Sequence, residues 1–435
     1  MATATSTGFT GAALEALAEG PSGELRRRAF EQFEALPLPS PETEEWRYTD
    51  VRGVDLAGLT ARAEEPPAAN LDEVGPGVLA AAGDVGDRAG LAVQHNSSVV
   101  MVHLASAEAN KGVVFCALDD APAGELTARL HQAVPTLRTK FTALHGAFRT
   151  GGTFVHVPAG VRVEAPLQTL TYVDRDGVAV FPHTVLVAEE GAEVTFIDRY
   201  VSPDVGSVLS DAVVEIYAGP SSSIRYVALQ EWGQGVTHLS VQRAVVGRDA
   251  QVRSLAVAFG ATLSRSEAES ILEEDGGFSE MLGMYFGDAS QHIDHRSIQD
   301  HIGDRTSSDL LYKGALRDRS QAIYTGTVII ERGAHKCDAY QTNRNILLSD
   351  TAKAHSVPNL EIISNDPVRC GHAASVGPID EEALFYMQSR GISYREAQRL
   401  IVTGFFQEVL DRVTIPEIKE SLERSIQAEL EREEA

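Results

Sequence analysis

The sequence predicts a mainly β protein whose core, residues 146–377, is a right-handed parallel β-helix. An N-terminal helical or mixed region (1–145) and a C-terminal helical domain (378–435) flank this core. Two observations predict the β-helix core. Between about 150 and 375, short β-branched segments alternate with turns at a nearly constant interval, and no amphipathic pattern of helical length interrupts them. Coils that repeat in this way bury their apolar surface only against neighbouring coils, as in a solenoid.

Short segments with period-two alternation run through the predicted core. They are Val155/Val157, Val194/Phe196, Val214/Ile216, Leu255/Val257/Phe259, Val328/Ile330 and Ile346/Leu348. Turn glycines recur at intervals of 31, 28, 28 and 29 residues, at Gly160, Gly191, Gly219, Gly247 and Gly276. A jelly roll or β-sandwich is the alternative, but such folds place hairpin turns every ~8–12 residues. The spacing therefore favours the β-helix.

Helical patterns precede and follow the predicted core. Apolar residues recur near helical spacing from Gly11 to Leu36, where a group of prolines ends the pattern, and again from Leu126 to Leu144. Beyond the core, Asp380 is a predicted helix N-cap, and Ser393 with Glu396 forms a predicted capping box.

Pro416 is expected in the first turn of a third C-terminal helix. Four apolar residues recur there at every fourth position: Ile418, Leu422, Ile426 and Leu430. This seam either docks on the preceding helices or is offered to another protein, and the sequence leaves both readings open.

Composition excludes several classes of protein. The chain has 435 residues, with 62 acidic against 37 basic side chains and a formal net charge of −25, which argues against a nucleic-acid partner. No apolar run approaches the ~18 residues of a membrane span, and the segment from Met1 to Ser6 lacks the features of a secretory signal. The cysteines Cys116, Cys337 and Cys370 are too few and scattered for a disulfide framework. We therefore expect a soluble cytoplasmic protein with reduced thiols and no membrane partner.

Most familiar catalytic motifs are absent from the sequence: it has no P-loop, Cys-x-x-Cys, His-Glu-x-x-His or Gly-x-Ser-x-Gly. The densest polar cluster runs from Gln291 to His301 and carries three histidines and two aspartates. In a strand, His292 and Asp294 share one face while His295 points to the other, so only a partial metal site forms on either side. A stacked polar ladder is the favoured interpretation of this cluster.

Cys370 and His372 are the strongest candidates for chemistry. They stand two residues apart in the last predicted coil, so their side chains point to one face of a strand. A thiolate is a good ligand for iron–sulfur species, and an imidazole can replace it on iron. The last strand of a solenoid has an unpaired edge that needs a cap or a partner. The pair indicates metal or sulfur handling at an interface, and a structural role is the alternative.

Several motifs follow one another along the chain in a recognisable order. They are Glu44-Glu45-Trp46-Arg47-Tyr48-Thr49, His292-x-Asp294-His295, Ser308-Asp309-Leu310-Leu311-Tyr312-Lys313-Gly314, Ala339-Tyr340-Gln341-x-Asn343-x-Asn345, Cys370-x-His372 and Asp380-Glu381-Glu382-Ala383-Leu384-Phe385-Tyr386. In this order they resemble the SufD family, the scaffold subunits of the SUF iron–sulfur cluster assembly system. The paralogous SufB subunits share the C-terminal layout and are the nearest alternative, but the Cys-x-His run followed by Val-Gly fits SufD better.

The resemblance implies a non-enzymatic subunit that pairs with SufB and is driven by the ATPase SufC, which binds the ATP. It implies that a nascent cluster forms at the SufB–SufD interface near His372, with Cys370 beside it, and that both residues are transient metal ligands. No stably bound cofactor is expected apart from a transient iron–sulfur cluster. A SufC contact is expected on the C-terminal helices, with the candidates Leu384, Ile418, Leu422, Ile426 and Leu430. A homodimer of the isolated chain through the same strand edge stays open.

Two further alternatives belong to other functional classes. A β-helix polysaccharide lyase or hydrolase would need a groove with paired carboxylates or a basic lyase residue. A purely structural interaction module differs from the scaffold only in whether Cys370 and His372 matter.

Overall fold

The computed structural model describes residues 8–18, 22–83, 87–122, 124 and 128–431. Its centre is a β-solenoid of about eight coils, and each coil contributes one strand to each of two sheets. The prediction of a parallel β-helix core between two helical regions is confirmed. The segment from Met1 to Ser6, on which the expectation about a secretory signal rests, lies outside the described residues. Within the described part of the chain, no helix has both the length and the apolar character needed to cross a membrane.

The strands of the described residues are β1 (Gly90–His95), β2 (Ser98–Leu104), β3 (Val114–Ala117), β4 (Thr153–Val157), β5 (Leu167–Tyr172), β6 (Val178–Val180), β7 (His183–Ala188), β8 (Glu193–Val201), β9 (Val208–Ala218), β10 (Ser223–Glu231), β11 (Val236–Val246), β12 (Gln251–Ala258), β13 (Leu263–Leu272), β14 (Phe278–Gly287), β15 (His292–His301), β16 (Ser307–Leu316), β17 (Gln321–Ile330), β18 (Asp338–Leu347), β19 (Lys353–Ile362) and β20 (Arg369–Pro378). The first sheet has the order β2-β1-β5-β8-β10-β12-β14-β16-β18-β20, and the second has the order β19-β17-β15-β13-β11-β9-β7-β4-β3.

Strands of successive coils pair in parallel register. From β4 and β5 onward, the interval between paired residues ranges from 26, for Thr237 opposite Leu263, to 32, for Gln321 opposite Lys353. Two turn glycines illustrate why the period can be read from the sequence. Gly191 has a φ of +66°, in the left-handed region that favours glycine. A Cβ at Gly219 would lie 2.8 Å from the carbonyl oxygen of Ala188 in the preceding coil.

The described residues form the helices α1 (Gly11–Glu15), α2 (Gly23–Ala35), α3 (Leu71–Val74), α4 (Pro76–Gly83), α5 (Ser106–Ala109), α6 (Lys140–Phe148), α7 (Glu381–Ser389), α8 (Tyr394–Leu410) and α9 (Pro416–Glu431). The predicted N-cap is present, since the Asp380 side chain accepts hydrogen bonds from the amides of Glu382 and Ala383. Only half of the predicted capping box forms: the Ser393 side chain accepts a hydrogen bond from the Glu396 amide, but the Glu396 carboxylate pairs with Arg399. Pro416 begins α9, as predicted.

The helix predicted from Leu126 to Leu144 is wrong over most of its length. Residues 125–127 lie outside the described residues, residues 130–139 form turns and loops, and α6 begins only at Lys140. The physical reason is a buried carboxylate. Glu215 on β9 accepts hydrogen bonds from the backbone amides of His131, Ala133 and Val134, which a helix would direct to its own carbonyl groups.

The two helical regions cover the outer faces of different sheets. α8 and α9 pack on the first sheet, where Phe406, Ile418 and Leu422 join strand residues such as Leu255 and Leu282 in one apolar cluster. The N-terminal region packs on the second sheet, with Phe141 and Phe148 of α6 in a cluster that includes Leu209 and Leu239. Each helical region therefore buries the face of a sheet that would otherwise be exposed.

A polar clamp also holds the N-terminal region to the second sheet. We define the N-terminal clamp as Trp46, Thr49, Arg265, His292 and Asp294. Thr49 Oγ1 lies 2.6 Å from an Asp294 carboxylate oxygen and 2.9 Å from His292 Nε2. Arg265 pairs with Asp294 and stacks over the Trp46 ring at 4.0 Å. The N-terminal motif seen in the sequence thus has a structural role.

The interior of the solenoid becomes polar toward its C-terminal end. There the Tyr285 hydroxyl donates to Asn345 Oδ1 at 2.5 Å and accepts from Asn343 Nδ2 at 3.0 Å. His295 points inward, with its ring centroid 5.0 Å from that of Tyr285 and 5.4 Å from that of Tyr312. Burial lowers the pKa of His295 to about 4. His295 is therefore neutral in the fold at pH 7.

We predict that Thr49→Val lowers the free energy of unfolding by about 1–3 kcal/mol, because valine has the same shape but leaves Asp294 and His292 without their buried partner. Urea unfolding measures this change, and limited proteolysis should show faster cleavage of the N-terminal region. Thr43→Val is the matched control at an exposed position. Equal stability of the two variants would contradict the clamp.

We predict that acid destabilises the fold partly through His295. Its folded pKa of about 4 lies below the ordinary value of 6.5, so the unfolded chain gains a proton first and stability falls as pH drops from 6.5 toward 4. His295→Phe should reduce the loss in unfolding free energy between pH 7 and pH 4.5 by about 2–3 kcal/mol. Urea titrations at both pH values measure it, with exposed His335→Phe as the control. An unchanged pH dependence in His295→Phe would refute this account.

Candidate functional site

The C-terminal end of the solenoid is open. β20 is the last strand of the first sheet and β19 is the last strand of the second, so each has one edge without a neighbouring strand among the described residues. The other end differs, because β1 with β2 and β3 with β4 form antiparallel pairs there. Exposed apolar residues accompany the open end, and they are Ile362, Ile363, Val368 and Val376. Unpaired strand edges with apolar side chains are typical of surfaces that pair with another chain.

Cys370 and His372 both lie on β20 and face the mouth of the solenoid. In register they pair with Ala339 and Gln341 of β18, whose side chains are buried inside. Because side chains keep their face along a parallel ladder, Cys370 and His372 point into the same opening. Cys370 is half-buried and His372 is exposed. The structure thus places the two predicted residues together at the predicted end of the core.

The pair forms only part of a metal site. Residues two apart in a strand have Cα atoms about 6–7 Å apart, and four-coordinate iron or zinc needs further ligands. Burial, with a smaller effect of the neighbouring Cys337 thiol, raises the pKa of the Cys370 thiol. Cys370 in the isolated chain is therefore protonated at neutral pH, and a metal ion or a partner must help to remove that proton.

The polar cluster from Gln291 to His301 divides between the two faces of β15, as predicted. His292 and Asp294 point outward into the N-terminal clamp, while His295 points into the core. His301 lies between two hydroxyls, with Nδ1 2.8 Å from Thr306 Oγ1 and Nε2 2.8 Å from Ser308 Oγ. These contacts support the interpretation as a polar ladder.

The apolar seam of α9 faces inward. Leu384, Ile418, Leu422 and Ile426 are at most 5% exposed, and Leu430 packs against the same cluster. In the structure, therefore, the seam docks within the chain and is not offered to another protein. A protein that approaches α7 and α8 would first meet other apolar side chains, which are Phe385, Tyr386, Tyr394 and Leu400, exposed by 43–73%. Beside them Leu347, Pro378 and Leu384 help to line a groove of about 470 Å³.

Sequence reasoning missed a second group of residues, buried between the N-terminal region and the second sheet. His131, His183 and Glu215 bring a ligand atom each to within 4.8 Å of one another, and they are the one such group of three found among the described residues. His145 on α6 extends the group, with Nε2 3.0 Å from His183 Nδ1. Burial lowers the pKa of all three histidines. One signal was available: Glu215 is a carboxylate within the apolar strand Val213-Val214-Glu215-Ile216.

Comparison with known proteins gives a consistent result. The family model described as "SUF system FeS cluster assembly, SufBD core domain" matches residues 171–405. The chain is 30% identical over 407 residues to the iron–sulfur cluster assembly protein SufD of Bacillus subtilis (strain 168), which covers 92% of this chain and 91% of that protein.

Two mycobacterial proteins similar to this chain are also described as SufBD family members. An iron–sulfur cluster assembly SufBD family protein of Mycobacterium leprae (strain TN) is 33% identical over 71% of this chain and 79% of its own length. One of Mycobacterium tuberculosis (strain ATCC 25618 / H37Rv) is 35% identical over 68% of this chain and 75% of its own length. These matches favour the iron–sulfur assembly interpretation over that of a carbohydrate-active enzyme.

Proposed function

Because the chain belongs to the SufBD family of SUF iron–sulfur cluster assembly proteins, we propose that it is the SufD-type scaffold subunit of a complex with SufB and the SufC ATPase. In this role it catalyses no reaction of its own. It holds one side of an interface at which a nascent cluster forms, and SufC supplies the energy from ATP. The absence of a P-loop from the sequence is consistent with nucleotide binding by the partner.

The observation that carries this proposal is the open last coil. β19 and β20 offer unpaired edges, and a thiol and an imidazole face the mouth between them. A strand of SufB added to these edges would satisfy their free backbone groups and cover the exposed apolar residues. It would also bring further ligands toward Cys370 and His372. A site completed only across an interface can form and release its cluster as the interface closes and opens.

We assign different tasks to the two residues. His372 is exposed, so its imidazole reaches an iron ion at the interface without rearrangement of the solenoid. Cys370 is half-buried, and its raised pKa keeps it a thiol until iron or a partner lowers that pKa. Cys370 would therefore bind after His372, as the ligand that strengthens a bound cluster. Both are ligands to a transient substrate, not to a resident cofactor.

SufC contact is proposed for the C-terminal helices. The exposed residues Phe385 and Tyr386 of α7 and the adjoining groove form an apolar surface, which is unusual for a highly acidic chain. α7 begins three residues after β20 ends. A force applied to α7 by SufC during ATP hydrolysis would thus act directly on the strand that carries Cys370 and His372, which is a short route to opening the interface.

We predict that His372→Ala leaves the complex with SufB and SufC intact but sharply lowers the iron and sulfide that it holds. The exposed side chain contributes little to folding, so its loss should act on the cluster alone. Co-purification with tagged SufB, followed by anaerobic iron and sulfide assays, measures both effects. His335→Ala is the matched control, an exposed imidazole in a turn of the preceding coil. A His372→Ala complex with normal iron and sulfide would place the chemistry elsewhere.

We predict that Phe385→Ala with Tyr386→Ala weakens SufC binding while the chain stays as stable as before, because both side chains are exposed. Leu384→Ala should instead lower the free energy of unfolding by about 2–5 kcal/mol, because Leu384 is buried. Pull-down of SufC and urea unfolding separate the two effects, with exposed Tyr48→Ala as a control. Full SufC binding by the double variant would move the contact away from α7.

A further inference from the structure

We propose that His131, His183 and Glu215 bind a divalent transition-metal ion, of the class that includes Zn²⁺ and Fe²⁺, between the N-terminal region and the second sheet. Their side chains are at most 8% exposed, and each brings a ligand atom to within 4.8 Å of the others. Two imidazoles with one carboxylate are a common ligand set for such ions. The site uses none of the residues at the open end, so this proposal does not depend on the proposed function.

Hydrogen bonding fixes which ring nitrogens carry protons. His145 Nδ1 lies 2.8 Å from the backbone oxygen of Asp211, which can only accept, so this nitrogen donates. His145 Nε2 then has the lone pair in the neutral ring, and His183 Nδ1 donates to it at 3.0 Å. In neutral His183 the lone pair is consequently on Nε2. Because of these two hydrogen bonds, the lone pair of His183 Nε2 lies on the side of the ring that faces away from His145.

The lone pair of His183 Nε2 points at a second acceptor. Its neighbour at 3.0 Å is Glu215 Oε2. Glu215 accepts backbone hydrogen bonds from His131, Ala133 and Val134, which hold its carboxylate in place beside the His183 ring. When His183 is neutral, two lone-pair atoms face each other at hydrogen-bond distance in a buried site, and they repel each other unless a proton or a metal ion lies between them. A metal ion bound by both atoms removes that repulsion.

His131 supplies the third ligand. Its Nδ1 is buried and has no hydrogen-bond partner, and its ring centroid lies 5.0 Å from that of His183. The residue also has a φ of +58°, which is uncommon for histidine, and its amide donates to Glu215 Oε2 at 2.7 Å. The backbone is thus held in a strained conformation that brings an unsatisfied imidazole beside the other two ligands.

The surrounding residues resemble the outer shell of a metal site. His145 orients His183 through its second ring nitrogen, which is how ligating histidines are usually held. Of the nearby guanidinium groups, Arg149 pairs with Asp119 at 2.6 Å, Arg243 pairs with Glu269, and Arg26 donates to the Ala147 carbonyl oxygen at 3.0 Å. A bound ion would connect residue 131 to β7 and β9, and so would fasten the N-terminal region to the solenoid. We therefore expect a structural site that stabilises the folded chain.

The test is zinc binding to the full-length chain with Cys370→Ser and His372→Ala already in place, so that the open end cannot contribute. The metal-free protein is titrated with Zn²⁺ against a chromophoric chelator, and its unfolding temperature is measured with and without the metal. We expect about one zinc per chain and a higher unfolding temperature with zinc. Co²⁺ in place of Zn²⁺ should give visible bands without thiolate charge transfer.

His131→Asn is the decisive variant, because asparagine tolerates positive φ and the Nδ1 atom of the histidine ring has no hydrogen-bond partner that the change would remove. We expect it to weaken zinc binding by at least the ~10–100-fold seen for outer-shell partners, while exposed His103→Asn leaves binding unchanged. No zinc binding by the parent chain would overturn the proposal. Zinc binding that His131→Asn does not weaken would overturn it equally.

Discussion

The stacking of coils is the constraint on which the rest of this structure depends. A coil of two strands cannot bury its apolar residues alone, so each coil is stabilised by the one before it and the one after it. At the first coils the two sheets end in antiparallel pairs, β1 with β2 and β3 with β4. The last coil has no such partner among the described residues, and its unpaired edge is a direct consequence of the architecture. The proposed cluster interface uses that edge.

Covering the outer faces is the second requirement of a two-sheet solenoid. The chain meets it with its own ends: α8 and α9 lie on the first sheet, and the N-terminal region lies on the second. Apolar packing dominates the contact of α8 and α9 with the first sheet. The contact of the N-terminal region with the second sheet combines apolar packing with polar interactions, which are those of the N-terminal clamp and of the group around Glu215. Polar contacts of this kind are directional, so they fix where the N-terminal region sits. The outer edges of β19 and β20 have no strand neighbour among the described residues and are available to a partner.

Local patterns in the sequence predicted the solenoid well, because period-two alternation and regular turns such as Gly191 and Gly219 are local properties of the chain. They also placed Cys370 and His372 on one face of the last coil. These local patterns failed where residues distant in the sequence determine the conformation or the contacts. Glu215 captures the amides of 131–134 and prevents the helix expected there, and His183 meets His145 and Glu215 only after the coils have stacked. The α9 periodicity showed a seam but not which neighbour it contacts.

Amide hydrogen exchange of the chain alone and in complex with SufB tests whether SufB binds the open last coil. Residues 353–378 form the last coil, and their outer-edge amides have no strand partner in the isolated chain. We predict strong new protection of this segment on SufB binding, with little change in β1 and β2 at the opposite end. Unchanged exchange over 353–378 in a stable complex, or protection confined to another surface, would contradict it.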